Sequence, residues 1–285
     1  MGGPSAEREV SLRSGAAVAR GLSQAGYAVT ALDVKGPPVS LPAGTEAVFI
    51  AIHGEYGEDG RLQAELNRRG IPYCGPGSDA SEASFDKFIA KERLEKARIR
   101  TPRWAKVRRG ARPPFPLPLV VKPARQGSSI GISRVFRDAE WRPALRAALV
   151  HGESFAEEFI AGRELTVGVV GDRTLPVIEI VAPGDWYSYQ NKYTKGACRY
   201  DVPASLDSEV EEQCRAIALR TFRALGCRGM GRVDLRLAPD GEVFVLELNT
   251  IPGFTETSLL PKAAAADGMD FASLCHRIID MAAID

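Results

Sequence analysis

The chain has 285 residues, 45% of them hydrophobic and 26% charged, with a net charge of +1. That length allows two or three domains whose cores need no disulfide staples, and the balanced charge offers nothing to nucleic acid or an acidic membrane surface. No apolar run reaches the ~18 residues that span a bilayer, the first residues have no signal-peptide core, and five scattered cysteines without C-x-x-C spacing argue against a disulfide framework or a thiolate zinc site, so a cytoplasmic enzyme is expected.

The opening MGGPSAEREVSLRSG sets a glycine pair, Gly2 and Gly3, before a helical stretch. A turn of this kind normally follows a buried strand, yet only Met1 precedes it. The expectation is a biological chain that begins upstream, or an N-terminal sheet that is incomplete, with Glu7 poorly fixed. Over residues 11–26 the apolar Leu12, Val18, Leu22 and Ala25 recur at helical spacing, with Ser11 as N-cap and Gly26 just past the end. Residues 27–34 read as a strand. The continuous apolar run AVFIAI at 47–52 reads as a strand covered on both faces. A helix over 62–68 and a short strand at 71–74 complete half of an open parallel sheet that lacks its first strand.

Residues 78–98 read as one charged helix, followed by the Pro-rich RRGARPPFPLP and a strand at 118–122. Further strands are expected at 153–159, 164–170 and 175–181, and the best amphipathic helix at 209–225. Two strands, 232–237 and 242–248, face each other across the turn PDG, and a last helix runs near 271–283. The chain divides into three α/β or α+β modules, over 1–78, 79–157 and 158–285.

Two familiar patterns mislead. GPGSDA at 75–80 fits a dinucleotide fingerprint, but the helical stretch after it leads to no strand bearing an acidic residue for a ribose, so a hinge turn is the simpler reading. GSSIG at 127–131 fits a hydrolase elbow around Ser129, but the β-branched ISRVF that follows reads as strand where an elbow opens a helix. No G-x-x-x-x-G-K-[ST] is present, which excludes an ATP site of P-loop type.

RVDLRLAPDGEVFVLELNT is more informative. On an antiparallel hairpin Asp234, Glu247 and Asn249 can share a face, Glu247 and Asn249 being two residues apart. Hard oxygen ligands without His or Cys favour Mg2+, whose shell is normally completed by water and phosphate. The plainer alternative is a surface hairpin, against which stands the cost of an unpaired carboxylate among Val245, Leu246 and Leu248. Lys122, leaving LVVKP into QGSSIG, suits a phosphate clamp, as does Lys87 in FDKF; a solvated helix lysine is the commoner fate for the latter.

The segments GGPSAEREVSL, HGEYGEDG, FDKF, VVKPARQGSSIG, YSYQNKY, GRVDLRL and LELNTIPGFTETSLLPK, in this order, resemble the D-alanine–D-alanine ligases of the ATP-grasp superfamily over nearly the whole chain. The resemblance implies ATP-dependent joining of two D-alanine molecules through an acyl-phosphate, for peptidoglycan precursors, by a cytoplasmic homodimer. It implies ATP and two Mg2+ ions, for which Mn2+ can substitute, and ATP bound between the second and third modules. Residue by residue, it implies that Lys87 and Lys122 hold phosphates, that Glu157 and Phe159 surround the adenine, and that Glu164 holds the ribose. Asp234, Glu247 and Asn249 are the implied metal ligands. Glu7 and Ser128, linked to Tyr193, would hold the first ammonium, and His53 would lie beside the first carboxylate. Arg232 and the Gly253 amide would form the oxyanion site, Ser258 and Leu259 the second carboxylate pocket, and Lys192 and Tyr193 would ride on a mobile covering loop. Tyr193 goes with D-alanine as second substrate, where phenylalanine goes with D-lactate. Departures are Gln126, Ser188 and Gln190, where acidic residues are usual, and a short Pro-rich connection that implies a reduced central module. A folded relative that binds nucleotide without turnover is the competing expectation.

Overall fold

In the computed structural model, residues 1–185 and 196–285 are described. The N-terminal part carries helices α1 (Arg8–Gln24), α2 (Arg61–Arg68), α3 (Ser78–Phe85) and α4 (Lys87–Lys96). A first sheet follows from β1 (Trp104–Val107), β2 (Leu119–Pro123), β3 (Ser133–Val135) and β4 (Ser154–Glu158), with α5 (Asp138–Leu149) against it. The second sheet contains β5 (Arg163–Val170), β6 (Arg173–Thr174), β7 (Ile178–Val181), β8 (Arg199–Asp201), β9 (Met230–Leu237) and β10 (Val243–Asn249). Its helices are α6 (Ser208–Ala224), α7 (Leu259–Ala266) and α8 (Phe271–Asp280).

Strand order is β1-β4-β2-β3 in the first sheet and β10-β9-β5-β7-β8 in the second, and the pairings are antiparallel. Strand periodicity separates the faces of β5 and β9. Leu165, Val167, Val169, Val233 and Leu235 are fully buried on one face under Cys214, Ala218 and Phe222 of α6 and Ala90 and Leu94 of α4. Each such side chain contributes about 1.5–3 kcal/mol on burial. The opposite face presents Glu164 and Thr166 from β5, in register with Arg236 and Asp234 from β9. In the first sheet Leu119, Val121 and Ala156 pack toward Trp141 and Leu145 of α5, leaving Lys122 and Glu157 on the other face.

The predicted helix over 78–98 is two helices. Asp86 is extended, with φ −84° and ψ 106°, and its carboxylate accepts the amides of Phe88 and Ile89, so a capping residue breaks the run and starts α4 at Lys87. Ser11 is not the N-cap of α1; that position is Glu7. Ser11 is instead buried, its hydroxyl accepting the Gly2 amide and donating to the Ala51 carbonyl. Gly26 does follow α1, with φ +91°.

The N-terminal strands expected at 27–34, 47–52 and 71–74 reduce to extended segments joined by isolated bridges: Gly2 with Val34, Val48 with Tyr73, and Tyr73 with Ala283. Gly2 and Gly3 have φ of +93° and +91°, and a Cβ on Gly3 would lie 2.5 Å from Ile52 Cγ2, so this turn requires glycine. The Met1 amine donates to the Leu32 carbonyl, and burial draws its pKa down to about 6. An apolar cavity of about 500 Å3 separates residues 28–32 from 48–52; Val18, Leu22, Ile50, Leu62 and Leu66 line it. Among the described residues no backbone hydrogen bond crosses it, which is why two apolar runs failed to become strands.

Candidate active site

The polar faces of the two sheets meet across a cleft. Val120, Lys122, Ser129, Glu157 and Phe159 line it from the first sheet and its loops, and Glu164, Asp234, Arg236 and Glu247 from the second. A β-bulge sets the far wall. The register of β10 against β9 slips between Val245 and Glu247, so Leu246 is the extra residue. Val245 and Leu248 therefore stay in the apolar core, while Glu247 and Asn249 turn to the cleft opposite Asp234 and Arg232. Simple period-two reading puts Val245 and Glu247 on one face, and the bulge undoes that.

Asp234 is 7% exposed and densely held. The Arg232 guanidinium donates to both its oxygens, at 2.9 Å each, Thr166 donates at 2.6 Å and Asn249 Nδ2 at 2.9 Å. Glu247 lies 3.5 Å from Lys87 Nζ, which also donates to the Gln126 carbonyl at 2.8 Å. Two opposed carboxylates beside an amide are a hard oxygen donor set that fits Mg2+. Among the described residues no group of three His, Cys, Asp or Glu side chains forms a metal cage, so phosphate or water oxygens would have to complete the shell.

Glu157 is 1% exposed between two ammonium groups: Lys122 Nζ lies 2.5 Å from Oε1 and Lys91 Nζ 2.7 Å from Oε2. Burial alone would raise its pKa, but Lys122 and Lys91 together hold it below the usual carboxylate range. Burial acts to lower Lys122, and Glu157 and Glu247 outweigh it, leaving a net rise. Glu164 accepts from Arg236 at 2.9 Å, and Arg236 also lies over the Phe159 ring. Arg236 and Lys91 were missed by sequence reading. Lys91 had a usable signal, since it falls four residues after Lys87 on one helix face.

At the next stretch of the site the Ser128 hydroxyl donates to the Glu7 carboxylate. Ser128 and Ser129 both have positive φ, 52° and 61°, a left-handed turn that brings the loop back to α1. Ser129 precedes β3, not a helix, so it lacks the setting of a hydrolase elbow. His53 is buried, with Nδ1 2.9 Å from the Ile251 carbonyl and Nε2 3.0 Å from Ser14 Oγ. Burial acts to lower its pKa, but Glu58, 3.6 Å away, and Glu7 raise it overall; burial pushes Glu58 itself up. Ser258 caps α7 and accepts the Thr255 amide at 3.0 Å, and a Cβ at Gly253 would lie 3.2 Å from its hydroxyl. Gly253, Ser258 and Leu259 are thus gathered at the α7 N-terminus, whose dipole favours an anion. Lys192 and Tyr193 lie outside the described residues.

Two antiparallel sheets closing on lysines from one side and carboxylates from the other define the ATP-grasp class of fold. The model of the D-ala D-ala ligase C-terminus matches residues 91–280. A D-alanine--D-alanine ligase of Methylacidiphilum infernorum (isolate V4) is 45% identical over 281 residues, covering 98% of this chain and 93% of that protein. Among solved structures, the VanG D-Ala:D-Ser ligase from Enterococcus faecalis superposes with a TM-score of 0.87 at 28% identity, over 99% of this chain and 97% of that one. The D-alanine--D-alanine ligase from Bacillus anthracis complexed with ATP gives 0.82 at 29% identity, over 99% and 94%. The chain belongs to the D-alanine–D-alanine ligase family.

Proposed function

We propose that the chain joins two D-alanine molecules at the expense of ATP, making the dipeptide for peptidoglycan precursors. The observation that carries this reading is the cleft itself, with Lys87 and Lys122 facing Asp234 and Glu247 beside the Glu7–Ser128 pair. In this reading Lys87 and Lys122 bind phosphate oxygens, Glu157 and Phe159 flank the adenine, and Glu164 binds the ribose. Asp234, Glu247 and Asn249 would hold Mg2+, which when bound supplies positive charge against the phosphates. Mn2+ would serve the same donors.

Glu7, oriented by Ser128, accepts the ammonium of the first D-alanine, with His53 buried nearby. The carboxylate of that D-alanine attacks the terminal phosphoryl group, releasing ADP and leaving a D-alanyl phosphate. Two anions must approach for this, so the lysines and Arg232 offset repulsion. The ammonium of the second D-alanine, its carboxylate anchored by Ser258 and the Leu259 end of α7, must first give up a proton, through His53 or the Ser128–Tyr193 hydroxyls, and the free amine then attacks the acyl carbon. Arg232 and the Gly253 amide stabilise the oxyanion as phosphate leaves. Lys192 and Tyr193 would exclude water from the acyl-phosphate. The modules of this cycle are 1–78, 79–157 and 158–285, working in a cytoplasmic homodimer. Among the described residues no helix is long and apolar enough to cross a membrane.

Purified protein should release phosphate from ATP when D-alanine is supplied and form D-alanyl-D-alanine in equal amount. No D-alanine-dependent turnover would overturn the reading, and a preference for D-serine or D-lactate over D-alanine would overturn its second substrate.

A further inference from the structure

Lys91 has no part in the cycle above, yet it is one of the most deeply buried charges in the molecule. It is 2% exposed, it sits one helical turn beyond Lys87 on α4, and it does not line the cleft. Its ammonium has three partners: Glu157 Oε2 at 2.7 Å, Thr101 Oγ1 at 2.7 Å and the Phe155 ring at 5.6 Å. Lys122 occupies the other oxygen of the same carboxylate and does line the cleft. One carboxylate is therefore shared by a lysine locked inside the protein and a lysine at the cleft wall.

That division has a chemical consequence. A buried carboxylate needs a counter-charge, because breaking a buried pair by removing one partner is strongly destabilising. With Lys122 as sole partner, moving that ammonium onto a phosphate would strand Glu157, and the pair would carry no net charge to attract an anion. With Lys91 as fixed counter-ion, Glu157 stays neutralised when Lys122 turns away, and the trio keeps one surplus positive charge.

We infer that Lys91 is a positioning residue, which neutralises Glu157 from behind and so leaves Lys122 available to the nucleotide phosphates. The inference rests on the assignment of the cleft to ATP. Two of the lysines of α4 then serve the cleft in different ways: Lys87 lies 3.5 Å from Glu247 on its wall, while Lys91 tunes Lys122 through a shared carboxylate.

The test is nucleotide binding by Lys91→Met, which keeps an unbranched chain over Phe155 and removes the charge. Calorimetry with ATP and with adenosine separates the phosphate term from the adenine pocket. ATP affinity should fall by about tenfold, the range of a charge-assisted contact, with adenosine affinity and the KM for D-alanine within about twofold of the parent. In a Glu157→Gln background, which sets its own baseline for the adenine pocket, Lys91→Met should change the ATP-to-adenosine affinity ratio by less than about twofold, because the carboxylate that captures Lys122 is gone. Unchanged ATP binding in folded Lys91→Met, equal losses for ATP and adenosine, or an undiminished effect of Lys91→Met in the Glu157→Gln background would each overturn the inference. If Lys91→Met does not fold, Thr101→Val, which removes one anchor of the ammonium, must lower the ATP-to-adenosine affinity ratio, and an unchanged ratio overturns it. Absence of ATP binding by the parent protein is a separate outcome, which defeats the cleft assignment itself.

Discussion

The two ends of this chain bury similar apolar sequences with different results. In the second sheet, β9 pairs along its length with β5 on one side and β10 on the other, so its backbone is satisfied and its faces are sorted into core and cleft. In the N-terminal part, residues 28–34 and 47–52 are equally strand-like in composition but, among the described residues, pair with their neighbours through isolated bridges, beside a cavity of about 500 Å3. The lesson is that hydrophobic periodicity reports burial, whereas a strand also needs a partner with free donors and acceptors at the right distance. Yet the N-terminal part still delivers Glu7 to Ser128, because α1 is also held by α8: Val18 and Leu22, at the edge of the cavity, pack with Leu274, Cys275 and Ile278.

The largest expected effect separates function from stability in the better-paired sheet. Asp234→Ala or Glu247→Ala should lower D-alanine-dependent phosphate release by about a thousandfold or more, since each removes charge at the reacting phosphate. Glu247→Ala, at a more exposed carboxylate, should unfold cooperatively within a few degrees of the parent, whereas Asp234→Ala also strips Arg232, Thr166 and Asn249 of their acceptor and should lose stability too, so its turnover is read per folded molecule. Near-parental turnover would show that the charged face of β9 and β10 serves packing alone.

That face shows how far the sequence could be read. Asp234, Glu247, Asn249 and Lys122 were legible because polar residues interrupt apolar strands, where burial is costly without a partner. Strands β2, β4, β5, β9 and β10 and helices α1, α2, α6 and α8 were legible from their periods. The break at Asp86 was not, since a single capping aspartate inside a helical composition leaves no periodic trace. Nor was the bulge at Leu246, which follows from how β10 meets β9. Arg236 and Thr166 take their roles from register with Glu164 and Asp234, and register is a tertiary property.

The middle effect weighs the two cores against each other. Leu235, fully buried in the second sheet, has neighbours on every side, so Leu235→Ala should cost about 2–5 kcal/mol. Ile50 is 2% exposed but borders the N-terminal cavity. Part of its surface already lacks contact atoms, so Ile50→Ala should cost roughly half as much. Urea unfolding of both variants makes the comparison, and equal losses would mean that the N-terminal core packs as tightly as the other.

The smallest effect is a change in the slope of stability with pH, and it takes opposite signs in the two regions. Glu58 is partly buried and Glu157 fully buried, and each is a carboxylate with an ordinary value of 4.5. Burial dominates at Glu58 and raises its pKa, so the folded state binds the proton more tightly than the unfolded chain does. Its contribution is fully present below 4.5 and is lost as pH rises through the folded value. At Glu157 burial is overcome by Lys122 and Lys91, and the folded pKa is depressed. Its contribution is present above 4.5 and is lost as pH falls through that lower value. Glu58→Gln should therefore remove the decline in stability that sets in above 4.5 and, by taking away the carboxylate that raises His53, move the histidine's own titration to lower pH. Glu157→Gln should leave the range above 4.5 alone and flatten the acid limb below it. Denaturant midpoints of the two variants, followed from acid to neutral pH, decide the matter. Slopes that change in the same window would mean that one electrostatic environment, not two, spans the molecule.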